Sequence, residues 1–403
     1  MKSGAVRVTA IDPVAAQQQE HAPVRIHLDA NANSPVTTTV RAAILEALDC
    51  GNPSSVHAGG EDGRQILAAA RDAVAELADG LFPEDVVFTS GCTEANNLIV
   101  ASAKLANATF VTSSVEHPSI ARPAAAYATD GGAVVSLPVA RSGLIDLLAL
   151  QGALQSAQGP VFLSIQAANS ETGVLQPIET IAGLAAQHPN VLFHSDAAQC
   201  FGKSVLRVGR GQGPDVLSVS GHKVHAPMGV GALLLREGED RLRSLLLGGD
   251  QERGLRAGTQ PLPLIAGFAA ACAERSRNLA GDVARMQSLR NRLETGVRAA
   301  LPSVIVNGGD APRLPNTSNL QFPGLDAMAL IAQLDAEGVL ASQGSACHSR
   351  RPEPSPVLMA MGLSEADAFA SVRFSVSPLN TEDEIDTAVE IIVCACHRLG
   401  LRP

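Results

Sequence analysis

Residues 214–233 read PDVLSVSGHKVHAPMGVGAL. The apolar run Val216, Leu217 and Val219 has the look of a short buried strand that breaks at Ser220-Gly221-His222, and Lys223 arrives just past its end. In an open α/β sheet that edge is where ligands bind. The chain has four lysines, and three read as ordinary: Lys2 in a polar tail, Lys104 on an amphipathic helix, Lys203 in a turn after Gly202. Lys223 stands instead among glycine, histidine and apolar residues. Desolvation there lowers a lysine pKa and fits the amine to form a Schiff base with an aldehyde cofactor. A strand-end lysine that snorkels to solvent is the alternative reading.

On either side of this stretch strand-like and helix-like segments alternate. Strands are expected at 86–89, 109–112, 133–137, 161–166, 191–194, 216–219 and 231–235, with helices beginning at Thr93, Pro118, near Ile145 and at Pro177. Repeated β-α units predict an α/β fold with a mostly parallel sheet covered on both faces. A helical pattern at 38–48 and an amphipathic helix at 61–78, with Ile66, Leu67, Ala70, Val74 and Leu77 on one face, come first. After Pro261 a long helical region runs to about residue 300, and short strands at 304–306, 318–321, 339–341 and 371–376 then alternate with helices, the last at 382–398. These patterns predict a disordered tail at 1–24, a large ligand-binding domain at 33–277, and a smaller α+β domain built from 25–32 and 278–403.

At 403 residues and 46% hydrophobic, the chain can bury a large core in two domains. A formal charge of -10 argues against a nucleic-acid surface, and with no Trp and one Tyr there is no stacking platform for single strands. The seven cysteines (50, 92, 200, 272, 347, 394 and 396) are scattered without a CxxC pair, which favours neither a disulfide framework nor a metal site and fits a reducing cytoplasm. Cys394 and Cys396 fall at i and i+2 of the last helix, on different faces, and read as buried or partly exposed thiols. No stretch reaches transmembrane length without a charge, Gly or Pro, so no membrane association is expected.

Polar residues fall just beyond the ends of successive strands: Ser90-Gly91-Cys92-Thr93-Glu94, Glu116-His117, Asn169 with Glu171, Asp196 with Gln199, and Ser220-Gly221-His222-Lys223. Each alone could be turn or capping chemistry, but a doubly wound sheet gathers these ends at one crevice. A phosphorylated pyridine aldehyde would give each a task. Gly91-Cys92-Thr93 opens a helix whose free N–H groups hold phosphate, helped by Thr93, Ser220 and His222. Asp196 can pair with a protonated pyridine nitrogen, Gln199 with the ring hydroxyl oxygen, and His117 can stack on the ring and move protons.

With these residues together the chain resembles the cysteine desulfurases of the NifS/IscS type, within the class V aminotransferase group of fold-type I pyridoxal-phosphate enzymes. The resemblance runs from Ile26 to Val393 through GNPSSVHAGG, FTSGCTEANN, VEHPS, NSETGVLQPI, HSDAAQ, SVSGHK, ERGLRAGT, GSAC, PEPSPVLMAMGL and SVRFS. It implies that Lys223 holds pyridoxal 5'-phosphate covalently and that His117 stacks on it. It places Cys92, Thr93, Ser220 and His222 at the phosphate, and has Thr259 reach the phosphate of a second subunit in a homodimer. Asn169 and Arg373 would hold the substrate carboxylate, Asp196 would face the pyridine nitrogen and Gln199 the ring hydroxyl. The family's DNAATTP reads Asp29-Ala30-Asn31-Ala32-Asn33-Ser34-Pro35 here, which puts Asn33 on the substrate wall. HKIYGPKG and GGGHERG are likewise altered, to His222-Lys223-Val224-His225-Ala226-Pro227-Met228-Gly229 and Gly248-Gly249-Asp250-Gln251-Glu252-Arg253-Gly254.

Cys347 lies in Ser345-Ala346-Cys347-His348-Ser349-Arg350-Arg351-Pro352, a segment that Gly344 and nearby prolines keep from regular structure. The positive charge of Arg350 and Arg351, and of His348 when protonated, lowers a thiol pKa. The segment also coincides with the family's nucleophile position. The implied reaction converts L-cysteine to L-alanine, leaves a persulfide on Cys347 and passes its sulfur to an acceptor protein in iron-sulfur assembly or thiolation. A selenocysteine lyase or a cysteine/cystine C-S lyase of the same fold, and more remotely a non-catalytic scaffold, are the competing readings.

Overall fold

The computed structural model describes residues 25–344 and 353–401. The tail expected at 1–24 and the segment 345–352, with Cys347, lie outside the described residues. In chain order the elements are β1 (Ile26–His27), α1 (Thr38–Glu46), α2 (Ala58–Ala75), β2 (Val86–Thr89), α3 (Cys92–Leu105), β3 (Thr109–Ser113), α4 (Pro118–Thr129), β4 (Val134–Leu137) and α5 (Leu147–Ser156). Next come β5 (Val161–Ser164), α6 (Ile178–Ala186), β6 (Val191–Asp196), β7 (Val216–Ser220) and β8 (Gly231–Leu235). The helices α7 (Leu262–Arg277) and α8 (Leu279–Ala300) lead to β9 (Ile305–Val306), β10 (Thr317–Gln321), α9 (Ala327–Ala336) and β11 (Val339–Leu340). The chain closes with α10 (Pro356–Ala360), α11 (Glu365–Phe369), β12 (Ser371–Ser375) and α12 (Glu382–Arg398).

The central sheet has the order β2-β8-β7-β6-β5-β3-β4. Its pairs are parallel except where β8 lies antiparallel to both β2 and β7, so β2 runs with the other strands. The sequence pattern left β8 undistinguished among its neighbours. Only residues 221–230, with no crossover helix, separate β7 from β8, and a return that short permits an antiparallel neighbour only. Helices cover both faces. Val40, Leu67, Val74, Ile265 and Phe268 of α1, α2 and α7 form one layer, while Leu98, Ile99 and Ile120 of α3 and α4 and Leu150 and Ile181 of α5 and α6 pack on the buried strands elsewhere.

A separate apolar cluster joins Ile26 and Leu28 to Leu289 and Leu293 of α8, Leu320, Phe322, Phe374 and Ile392. There β1 pairs in parallel with β11, and β10 stands between β9 and β12. The last helix starts where its sequence directs: Thr381 caps α12 and Glu384 reaches back to the Thr381 amide, a reciprocal pair. From Leu28 the chain bridges to Ser375 at Asp29, turns over residues 30–32 and reaches the edge of the central sheet, where the Ser34 amide donates to the His222 carbonyl. Among the described residues no helix is long and apolar enough to cross a membrane, and no group of three His, Cys, Asp or Glu side chains could hold a metal ion.

One core histidine carries a pH consequence. His194 in β6 is fully buried between Ser164 Oγ (2.9 Å from Nδ1) and Ser218 Oγ (2.8 Å from Nε2), and burial pushes its pKa from 6.5 down to about 4. A depressed histidine stabilises the fold fully above its unfolded pKa and loses that contribution as pH falls toward the folded one. Between about pH 7 and about pH 5 the drop in unfolding free energy should be about 2 kcal/mol smaller in His194→Gln than in the natural chain. Urea unfolding at the two pH values measures this, and equal drops would contradict it.

Candidate active site

The ends of β2, β3, β5, β6 and β7 lie along one edge of the central sheet. At the first of them Gly91, with φ +150°, turns the chain into α3, whose N-terminus has no side-chain cap. Gly231 stands so close that a Cβ there would come within 2.7 Å of Gly91 Cα. The open N–H groups of α3, the exposed Thr93 and the Ser220 hydroxyl, 3.0 Å from His222 Nδ1, make a cradle for an anion. Burial and then Lys223 push the His222 pKa down to about 4, so its ring is neutral and keeps an N–H to donate.

Asp196, at the end of β6, is oriented on both oxygens. Oδ1 accepts from the Ala198 amide (3.0 Å) and from the Cys92 thiol (3.2 Å), and Oδ2 accepts from Asn96 Nδ2 (2.7 Å). Burial and the neighbouring Asp196 push the Cys92 pKa well up, so its sulfur keeps the proton it donates. Asn96 Nδ2 also donates to Ser119 Oγ (2.8 Å), which lies 2.7 Å from His117 Nδ1. The Ser119 amide donates to that same nitrogen (3.2 Å), so the proton of the neutral His117 ring sits on Nε2. His117 and Asp196 are thus wired together through Ser119 and Asn96, two residues the sequence reading did not single out.

Lys223 follows β7 directly. Its Nζ donates to the carbonyls of Asn31 (2.5 Å) and Ala32 (2.7 Å), and burial, then Arg373, lower its pKa to about 8. Lys203 departs from expectation. Far from being an ordinary turn lysine, it is 3 % exposed and donates to Gln199 Oε1 (3.0 Å) and Asn31 Oδ1 (3.1 Å). Burial, then Lys223 and Arg275, hold its pKa well below the usual range. Its local sequence is turn chemistry, and one of its two partners, Asn31, is remote in the chain. Asn31, 1 % exposed, is the hub that sequence reasoning passed over in favour of Asn33. Asn33 is half-buried and bonds through its backbone amide to the Asp29 carbonyl (3.3 Å).

Arg373 in β12 is buried beside Asp29. Its Nη2 donates to Asp29 Oδ1 (2.6 Å) and Ser342 Oγ (2.9 Å), and Nη1 to the carbonyls of Ser170 (3.2 Å) and Gly344 (3.4 Å). Its Nε, also buried, has no partner among the described residues. Asn169 is largely committed to its own loop. Oδ1 accepts from the amides of Glu171 and Thr172 (2.9 Å each), and Nδ2 donates to the Val115 carbonyl (3.1 Å), leaving one amide hydrogen without a partner among the described residues. Glu171 touches both stems of the segment that carries Cys347: it accepts from Ser355 Oγ (2.6 Å), and a Cβ on Gly344 would meet it at 3.0 Å.

Thr259 is exposed and lies on a loop fixed from below. Glu252, in the left-handed region at φ +50°, accepts from the Phe88 amide (2.8 Å), Arg71 (2.7 Å) and Gln260 (3.0 Å). Arg256 in the same loop bonds Glu94 in the first turn of α3 (3.1 Å).

An uncapped helix start, a buried carboxylate and a desolvated amine along one sheet edge fit the phosphate, ring nitrogen and aldehyde of pyridoxal phosphate respectively. The chain matches the aminotransferase class-V family over residues 26–388. It is 41% identical over 379 residues to cysteine desulfurase 2 of Trichormus variabilis, covering 93% of this chain and 94% of that one. Among solved structures it is similar to a NifS-like protein from Rickettsia africae, at a TM-score of 0.83 and 30% identity over 93% of this chain and 99% of the other. SspA in complex with cysteine aligns at a TM-score of 0.74 and 32% identity, over 88% and 99%. Sheet order, site and similarity agree: the chain belongs to the class-V aminotransferase family, in its NifS-like group of cysteine desulfurases.

Proposed function

We propose that this protein is a pyridoxal-phosphate-dependent cysteine desulfurase. The observation that carries the reading is Lys223, a desolvated amine with a pKa near 8 at the same sheet edge as Asp196, His117 and the uncapped α3. When bound, pyridoxal phosphate supplies an aldehyde that condenses with amines and a ring that withdraws the electrons left at the substrate's α carbon. The amides of Cys92 and Thr93 with Ser220 and His222 would hold the phosphate. Asp196 would face the ring nitrogen, and Gln199 the ring oxygen. Arg373 and the other hydrogen of Asn169 Nδ2 would bind the carboxylate of L-cysteine.

Lys223 Nζ would take the substrate's α proton, a task matched to a pKa near the working pH. His117 holds a transferable proton at Nε2. The Cys347 thiolate attacks the substrate sulfur, the carbon–sulfur bond breaks with its electron pair on carbon, and carbon is reprotonated. The balance is L-cysteine plus a thiol giving L-alanine plus a persulfide on Cys347, whose outer sulfur passes to a thiol of an acceptor protein. Two copies of the chain complete the site, with Thr259 reaching the neighbour's phosphate. Exposed Leu247 (90 %), Leu246, Leu245 and Val56 give that second copy an apolar surface to cover.

The direct test is to incubate the purified protein with pyridoxal phosphate and L-cysteine. Equal amounts of alanine and of protein-bound, reducible sulfur are expected in a first turnover. Formation of pyruvate and ammonia in place of alanine would overturn the reading.

A further inference from the structure

Lys203 is the one deeply buried lysine that the reaction above leaves unused among the described residues. It is buried more completely than Lys223, yet its bonded partners are two neutral amide oxygens, Gln199 Oε1 and Asn31 Oδ1. The nearby charges that act on it include Lys223, Arg275 and Arg373, all of its own sign. Burying an amine in such surroundings is costly, and its geometry has a specific effect. Lys203 Nζ donates to Oε1 at one end of the Gln199 amide, and the Asn31 carbonyl, which can only accept, faces Nε2 at the other, so the two contacts together fix which end is oxygen.

With Oε1 held by Lys203, the Gln199 NH2 group lies on the other side. One of its hydrogens goes to the Asn31 carbonyl (3.1 Å), the same oxygen that accepts from Lys223 Nζ, and the second has no partner among the described residues. Asn31 itself cannot shift. Its amide donates to Ser375 Oγ (2.9 Å), its Nδ2 to Thr317 Oγ1 (2.9 Å) and to the Ser170 carbonyl (3.3 Å), and its Oδ1 also accepts from Asn316 (3.0 Å). The frame that locks Gln199 therefore ties the turn after β6 to Asn31 and, through it, to β10 and β12.

We propose that Lys203 is a positioning residue: by occupying Gln199 Oε1 it presents the Gln199 NH2 group to the crevice, so that the ring oxygen of pyridoxal phosphate meets a donor. The inference rests on the cofactor reading above. A donor stabilises the deprotonated ring oxygen and lowers the pH at which the bound chromophore changes colour. An amide free to turn its own oxygen inward does the opposite.

The test titrates apo-protein with pyridoxal phosphate and follows the absorption of the complex against pH, for the natural chain, Lys203→Met, Gln199→Leu and the double variant. Lys203→Met keeps length and removes the donor. It should bind the cofactor about tenfold more weakly and move the colour change up by about one pH unit. In the Gln199→Leu background the same substitution should change neither quantity further, because the two residues act through one bond. Natural affinity and colour change in Lys203→Met, or equal losses in both backgrounds, overturn the proposal. Should Lys203→Met fail to fold, judged by melting of the apo-protein, Asn31→Ala loosens Lys203 from the other side and should give the same upward shift; an unchanged titration there overturns it too. A natural chain that takes up no pyridoxal phosphate defeats the cofactor reading itself, an outcome distinct from an unresponsive Lys203→Met.

Discussion

Lys223→Ala is expected to fold, to lose the covalent link to pyridoxal phosphate, and to turn over L-cysteine at least about a thousandfold more slowly. The fold should survive because the lysine head group serves no packing role. Its Nζ donates to two carbonyls, of which Asn31 O keeps the Gln199 amide as a partner when the amine is gone. The chemistry should not survive. No other described amine combines Lys223's place at the end of β7 with an approach to the crevice. Borohydride reduction followed by mass measurement reads the result directly. The natural chain should gain the mass of one reduced cofactor on the peptide containing Lys223, and the variant should gain none. A cofactor adduct in Lys223→Ala would move the attachment point to Lys203, the other buried amine, and would overturn the assignment of Lys223.

The strands that form the crevice were legible because each is a short apolar run ending in Gly, Ser, Asp or His, and the observed β7 extends the expected one by a single residue, Ser220. The start of α2 was not. Its sequence opens Ala58-Gly59-Gly60, and glycines read as helix-averse, so the expected start fell at Glu61. The structure gives those glycines a reason. A Cβ on Gly60 would collide with the Ser55 carbonyl at 2.1 Å, and one on Gly63 would sit 2.6 Å from the Gly51 carbonyl, so the helix keeps glycine to press against its own leading loop. The break between α7 and α8 at Asn278 was also missed, because Ser276, Asn278 and Gly281, all poor helix formers, lie inside a long run otherwise rich in Ala, Leu and Arg. In the site, residues that announce chemistry by their position at a strand end were found, and those that act on them were not. Lys203, Asn31, Asn96 and Ser119 earn their roles through contacts between segments remote in sequence, which no local pattern encodes.

Cys347→Ser is expected to reduce alanine formation from L-cysteine at least about a hundredfold while leaving cofactor uptake and colour unchanged. The substitution replaces a thiolate with a hydroxyl that stays protonated near neutral pH and is a poor nucleophile toward sulfur, so the step that breaks the carbon–sulfur bond loses its attacking atom. It should leave the described site intact, because the bonds described for Lys223, Asp196 and Gln199 run between residues outside the segment 345–352. Both described stems of that segment meet the crevice, Gly344 through Arg373 and Ser355 through Glu171. Burial raises the Glu171 pKa against the opposing pull of Ser355 and Arg373. The measurement pairs a cofactor spectrum with alanine release and with alkylation of the persulfide after one turnover. Full alanine release from Cys347→Ser would mean that sulfur leaves without a protein thiol, and the enzyme would then be a C-S lyase.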